Sequence, residues 1–283
     1  MRGLSMIIRK IAILIFFSCI LFVPSKPFAE NLGTTHERLK LFEYSFYDYD
    51  KKEITESYYR NAFGKTDVML KKELHNIINN HKKLSYNALW EALRDTDEDP
   101  NNRNNVILFY TGRSQGKNTN GSHVDDWNRE HVWAKSHGNF GTSPGPGTDL
   151  HHIRATDVSV NSSRGNLDFD NGGTPHLEAT ECKYDSDSWE PRDNVKGDIA
   201  RMLFYMAVRY EGDNGEIDLE LNDRVNNNTS PYMGRISVLL QWHKQDPVDH
   251  FERRRNELIY TKYQQNRNPF IDYPEWVQQI WSS

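Results

Sequence analysis

The 283-residue chain carries only two cysteines, Cys19 and Cys182, and this shortage constrains its architecture more than any other feature. Cys19 lies in an apolar run from Ile11 to Val23, preceded by Arg9 and Lys10 and followed by Pro24, Ser25 and the small residue Ala29. A basic start, a short apolar stretch and a small-residue exit have the layout of a secretory signal peptide. As a helix the run spans about 20 Å, short of a hydrocarbon layer of about 30 Å, which argues against a membrane anchor. Residues 1–29 are therefore read as a signal peptide and residues 30–283 as the exported domain. That domain keeps Cys182 alone, so no internal disulfide and no multi-cysteine zinc site can hold it together. A chain of this length can rely on its core instead.

Composition narrows the class. Charged residues make up 27% and hydrophobic ones 36%, which excludes a collagen, a disordered tail and a multi-pass membrane protein. Loss of residues 1–29 removes four basic residues and no acidic ones, taking the formal charge from −5 to −9. A nucleic-acid partner would then need a local basic cleft on an acidic body.

No linker or repeat interrupts the exported part. Val68, Met69, Leu74, Ile77 and Ile78 recur at helical spacing, and Ser85 is placed to cap a helix carrying Ala88, Leu89, Ala92 and Leu93. Val106–Tyr110, Asn128–Trp133 and Leu150–Ile153 read as strands, with loops over 111–122 and 136–148. Thr156–Ser163 reads as a short helix capped by Thr156 with Gly165 beyond its end. Ile199, Met202, Leu203, Met206 and Tyr210 form a core-facing stripe. Ile236–Trp242 is helical, and Asp246-Pro247 opens a further helix reaching about Tyr263. The expected class is α+β: a helix-rich single domain with a small antiparallel sheet. The acidic stretches Asp95-x-Asp97-x-Asp99 and Asp168-x-Asp170 lack the full calcium-loop pattern and read as solvated turns.

Three segments carry chemistry: Arg129-Glu130-His131-Val132-Trp133, Asp149-Leu150-His151-His152-Ile153-Arg154, and Val160-Asn161-Ser162-Ser163-Arg164-Gly165-Asn166. Strand, loop, strand and helix in this order form a ββα unit. Neighbours on a regular strand diverge, so Glu130 and His131 can serve one site only at a strand end or bulge. The Glu130 carboxylate and Asn161 amide are hard oxygen ligands, a pair suited to Mg²⁺ that keeps several waters. His131 is a base for water, and Arg164, Arg129 and Arg154 offer planar forks for phosphate. The run Arg253-Arg254-Arg255 reads mainly as salt-bridged surface.

The ordered set resembles the bacterial endonuclease I family, nonspecific exported nucleases of the ββα-metal (His-Me finger) type, and within it the Gram-positive extracellular ribonuclease branch. The Glu-His pair, the Asp-x-His-Asn stretch (with His152 where Asn is usual) and the Val-Asn-x-x-Arg-x-Asn helix all have counterparts here. So do Trp242-His243-x-x-Asp246-Pro247 and Gln265-Asn266-Arg267-Asn268-Pro269-Phe270-Ile271-Asp272. The resemblance covers roughly residues 60–280. It implies a secreted endonuclease in which His131 is the general base and Glu130 and Asn161 bind one Mg²⁺. RNA is implied as the main substrate, DNA is also cut, and the products carry 5′-phosphate ends. Gram-negative members hold their phosphate-clamping arginine in an insertion between the two strands. Residues 132–148 contain Lys135 and no Arg, so that catalytic role passes to Arg164, with Arg129 and Arg154 as substrate contacts. Asp149 and His151 are expected to stand behind the metal site and orient it. A monomer without membrane attachment is expected once the signal is removed. Two other readings stay open: a metal-free ribonuclease using two of the eleven histidines and the 2′-hydroxyl, and an exported binding protein presenting some of the seven tryptophans.

Overall fold

The computed structural model describes residues 53–281, so the signal-peptide reading of residues 1–29 lies outside the described residues. The chain groups into Met1–Glu56, of which only a helical stretch from residue 53 is described, and Ser57–Ser283. All that follows concerns the second unit. In chain order it contains α1 (Asp67–Ile78), α2 (Leu89–Thr96), β1 (Glu98–Asp99), β2 (Asn102–Ile107), β3 (Ser114–Gly116), β4 (Trp127–His131), β5 (Ile153–Asp157) and α3 (Val158–Arg164). There follow β6 (Asp168–Phe169), β7 (Thr174–Pro175), β8 (Lys183–Tyr184), β9 (Ser188–Glu190), α4 (Lys196–Arg209), β10 (Glu220–Leu221) and β11 (Tyr232–Met233). The last elements are α5 (Ile236–Gln245), α6 (His250–Leu258), a π-helical turn (Ile259–Gln264), α7 (Pro269–Asp272) and α8 (Trp276–Trp281). The class is α+β. Its strands form small separate sheets: β1-β2-β3, β4-β5, β6-β9-β8-β7 and β10-β11. The sheets are not all antiparallel, because β6 runs parallel to β9 and β10 to β11.

Helix α4 is the axis of the unit. The expected stripe Ile199–Tyr210 is buried, but so is every other residue of the helix. A helix surrounded on all sides must pair its charges. Arg201 does so with Glu252 at 2.5 Å and Arg209 with Glu216 at 2.7 Å. Around α4 pack Leu70, Leu74 and Ile78 of α1, Trp133, Trp189, Trp242 and Val277. A second apolar cluster, including Leu89, Leu93, Val106, Trp127, Ile153 and Ala155, lies beneath the β4-β5 pair. Among the described residues no helix is long and apolar enough to cross a membrane.

Several boundaries differ from the sequence expectation for identifiable reasons. Leu150–His152 is a turn, not a strand, because Asp149 folds its carboxylate onto the His151 N–H (3.0 Å) and its carbonyl onto the His152 N–H. The strand starts only at Ile153, and Thr156 stays in it opposite Asn128. Helix α3 therefore begins one residue later than expected, after Asp157. Its end matches: Gly165 takes φ +55°, a value a β-carbon penalises. Asp246 does not cap α6; it accepts the Gly197 N–H at the start of α4 (2.8 Å). Asp249 caps α6 instead, in a reciprocal box with Glu252.

The acidic stretches are not solvated turns either. Asp97 and Asp168 are buried. Asp168 accepts the Asn227 and Gly234 N–H groups, each at 2.9 Å. Asp97 accepts from Arg154 Nε (2.8 Å), Arg255 Nε (3.3 Å) and the Ala155 N–H (3.1 Å), tying α2, β5 and α6 together. Arg255 is thus internal rather than surface, while Arg254 pairs with Glu98. Removing Asp97 leaves Arg255 without a carboxylate in the interior and Arg154 with Asp198 alone. Asp97→Ala is expected to cost about 3–5 kcal/mol of stability, against about 1 kcal/mol or less for Asp95→Ala on the rim, as read by denaturant titration.

Candidate active site

The β4-β5 pair and α3 form the expected ββα unit, joined by a long loop over residues 132–152. The register sets Glu130 opposite Arg154 and His131 opposite Ile153, so His131 is the last paired residue of β4. This strand-end position lets two consecutive residues border one cleft. The cleft has a volume of about 380 Å³, and Glu130, His131, Asn128, Asn161, Lys135 and Tyr86 all line it.

Glu130, His131 and Asn161 are held by specific contacts. Glu130, 2% exposed, accepts the Tyr110 hydroxyl at 2.7 Å, and Arg164 Nη1 lies 3.1 Å from the same oxygen. Burial raises its carboxyl pKa, against the pull of Arg164 and Tyr110. His131 meets the Gly147 carbonyl through Nε2 at 3.0 Å. A carbonyl only accepts, so Nε2 carries the proton and Nδ1 keeps its lone pair. Gly147 must be glycine, since a β-carbon there would run into the Gly141 carbonyl oxygen. Asn161 donates from Nδ2 to Asn128 Oδ1 (2.6 Å), leaving its own amide oxygen without a donor among the described residues.

The arginines are distributed differently from the expectation. Arg164 is fully buried. Nη1 donates to the His131 carbonyl (2.9 Å), Nη2 to the Val132 carbonyl (2.8 Å), and the guanidinium lies over the Phe169 ring. It supports the site from inside and presents no fork to substrate, so the phosphate-clamping assignment is corrected. Arg154 is also buried, bonded to Asp97 and Asp198 and lying 4.1 Å from the Phe109 ring centroid. It too is removed from the substrate contacts. Arg129 does border the cleft, but its guanidinium is sandwiched between the Tyr86 and Trp90 rings, 3.6 and 3.8 Å from their centroids. Of the expected basic cleft, Arg129 and Lys135 remain.

Asp149 and His151 brace the loop rather than touch Glu130, His131 or Asn161. Asp149 accepts the Tyr205 and Tyr210 hydroxyls, each at 2.9 Å, and Gln264 Nε2 at 3.0 Å. Although burial pushes its carboxyl pKa up, His81, His151 and Gln264 outweigh that and hold it well below the usual range. His151 reaches the Asn266 carbonyl and packs on Tyr205. The histidine beside His131 is His152, its ring centroid 5.6 Å from that of His131 and its Nε2 on the Pro146 carbonyl (2.7 Å). Sequence reading passed over Tyr110, Gly147, Tyr86 and Asn128. The one available signal for His152 was its departure from the usual Asn.

The endonuclease I family model matches residues 66–275 of this chain. The chain belongs to the endonuclease I family. It is 66% identical over 227 residues to the extracellular ribonuclease of Bacillus subtilis (strain 168), covering 80% of this chain and 79% of that protein. It is equally similar to the extracellular ribonuclease of Bacillus amyloliquefaciens, with 80% and 78% covered. As a member of this family the protein is a nuclease, and the cleft described above is its candidate active site.

The donor set of this nuclease suits a hard divalent cation. One carboxylate, Glu130, borders the cleft beside the amides of Asn128, Asn161 and Asn166, and no group of three or more His, Cys, Asp or Glu able to hold a metal ion occurs among the described residues. Such a set leaves most coordination positions to water or phosphate, the manner of Mg²⁺ rather than of structural zinc.

His131 makes the pH dependence predictable. Burial, then the neighbouring His152, depress its pKa well below 6.5, so the neutral imidazole persists as pH falls past that value. The acid limb of kcat/KM, measured at saturating divalent cation, is expected below pH 6.5. A limb at or above 6.5 would contradict this placement of His131.

Proposed function

We propose that this nuclease is a secreted, Mg²⁺-dependent endonuclease that hydrolyses phosphodiester bonds in RNA, and also in DNA, without strong sequence specificity. The observation that carries the reading is the state of His131. Its Nε2 proton is committed to Gly147, its Nδ1 is unprotonated, and Glu130 and Asn161 border the same cleft. The relatives' designation as extracellular ribonucleases supports export and an RNA substrate.

In this mechanism His131 Nδ1 takes a proton from the attacking water. The Gly147 carbonyl holds the ring in orientation and favours the imidazolium that results. Glu130 and Asn161 would hold the Mg²⁺, with Tyr110 and Arg164 keeping Glu130 in place. When bound, the ion supplies charge stabilisation for the phosphate and the departing 3′ oxygen. The nucleophile is water, so a 2′-hydroxyl is not needed and the phosphate stays on the 5′ end. We propose a monomer as the working form.

Two observations weigh against the other readings. A metal-free mechanism needs a second histidine as acid, but His152 is fully buried and bonded to Pro146. A binding stripe needs exposed tryptophans, but Trp127, Trp133, Trp189 and Trp242 are all fully buried.

The test compares end-labelled RNA, single-stranded DNA and duplex DNA, with Mg²⁺ or EDTA, and maps the product ends. Cation-dependent cuts with 5′-phosphates are expected, with a fall of about 10²–10⁴-fold in kcat for His131→Ala. Cuts confined to RNA that survive EDTA and leave cyclic phosphates would overturn the reading.

A further inference from the structure

Tyr86 lies outside the ββα unit, just ahead of α2, yet its half-buried ring lines the catalytic cleft. The ring is unusually well fixed for a loop side chain. The Arg129 guanidinium is stacked against it at 3.6 Å and is backed in turn by Trp90 at 3.8 Å. Trp90 stands edge-on to the buried Trp127, its ring centroid 5.4 Å away. Arg129 also donates to the Tyr86 carbonyl at 2.8 Å, which holds the backbone as well as the ring. The ring is stacked toward that of His131, 25° from parallel with 6.0 Å between centroids, so it borders His131 as well as the cleft.

Lys135 stands close by, its ammonium 5.8 Å from the Tyr86 ring centroid. Among the described residues it forms no ion pair. With Arg164 and Arg154 sealed in the interior and Arg129 held in its sandwich, Lys135 is the cleft cation free to meet a phosphate.

Resting on the nuclease reading above, we propose that Tyr86 and Lys135 form a nucleotide subsite beside His131: an unpaired base stacks on the Tyr86 ring while Lys135 meets the adjoining phosphate. The preorganised ring matters because stacking then costs little ordering of the protein. The arrangement also sets strand preference. A base inside a duplex already has both faces covered, whereas a single strand can offer a free face. The enzyme therefore takes single strands in preference to duplex, and it tolerates any base because every base has a π-face.

The test is binding without turnover. Fluorescence anisotropy in EDTA follows a labelled single-stranded DNA oligonucleotide, its duplex, and a series carrying one abasic position each. Wild type is expected to bind the single strand more tightly than the duplex and to lose affinity when one particular position is abasic. Tyr86→Leu is expected to weaken binding of the intact strand by roughly 5- to 150-fold and to become indifferent to that abasic position. Tyr86→Phe, which keeps the ring, is expected to recover both properties. Lys135→Gln is expected to lower the slope of log Kd against log salt by about 0.7. If Tyr86→Leu does not fold, the abasic series on wild type decides. The proposal is overturned if no abasic position matters to wild type, if Tyr86→Leu loses intact and abasic strands equally, or if duplex binds as tightly as single strand. Hydrolysis that fails while these binding differences hold removes the nuclease mechanism alone; hydrolysis that holds without them removes the subsite alone.

Discussion

The site depends on one buried cation. Arg164, at the end of α3, bonds the carbonyls of His131 and Val132 and lies against the carboxylate of Glu130. It thereby fixes the end of β4, with His131 and Glu130, the proposed base and metal ligand, to the same helix that carries Asn161. A guanidinium is the side chain that can do this, because its planar fork can satisfy two carbonyls and a carboxylate together. Its burial is tolerable because it is paired; without Glu130 it would be an uncompensated interior charge. The charge serves the chemistry indirectly, by holding atoms in place.

The same principle recurs through the unit. Helix α4 is buried all round, so its arginines meet carboxylates from α6 and the segment after α4. Asp97 gathers Arg154, Arg255 and a strand N–H, and Asp149 gathers two tyrosine hydroxyls and Gln264. With Cys182 unpaired, these charged and polar joints hold the helices to their neighbours and, through Asp149, to the loop over 132–152.

This explains how far the sequence could be read. The α4 and α5 patterns were legible because apolar periodicity reports burial, whereas in α1 it located the helix but misjudged its face: Leu74 and Ile78 are buried, Val68 and Met69 exposed. The ββα order was legible from Glu130-His131, the loop glycines and prolines, and Asn161, and the strand-end requirement for Glu130 and His131 followed from alternation alone. The arginines misled. A sequence shows that Arg154 and Arg164 sit near the motif, but not that their partners are Asp97, Asp198 and two main-chain carbonyls. Those contacts are long-range or involve the backbone, which has no letter of its own. The acidic turns failed for the same reason. Tyr86 was invisible because its link to the site runs through Arg129, 43 residues away along the chain.

The most direct test of this account is the Mg²⁺ affinity of Arg164→Lys, measured by titration calorimetry on protein shown to be folded. Lysine keeps the charge but cannot reproduce the fork. If Arg164 acts by orienting Glu130, affinity should fall about 10- to 100-fold, the usual effect of losing a group that positions a ligand. A folded variant that binds Mg²⁺ as tightly as wild type would contradict it.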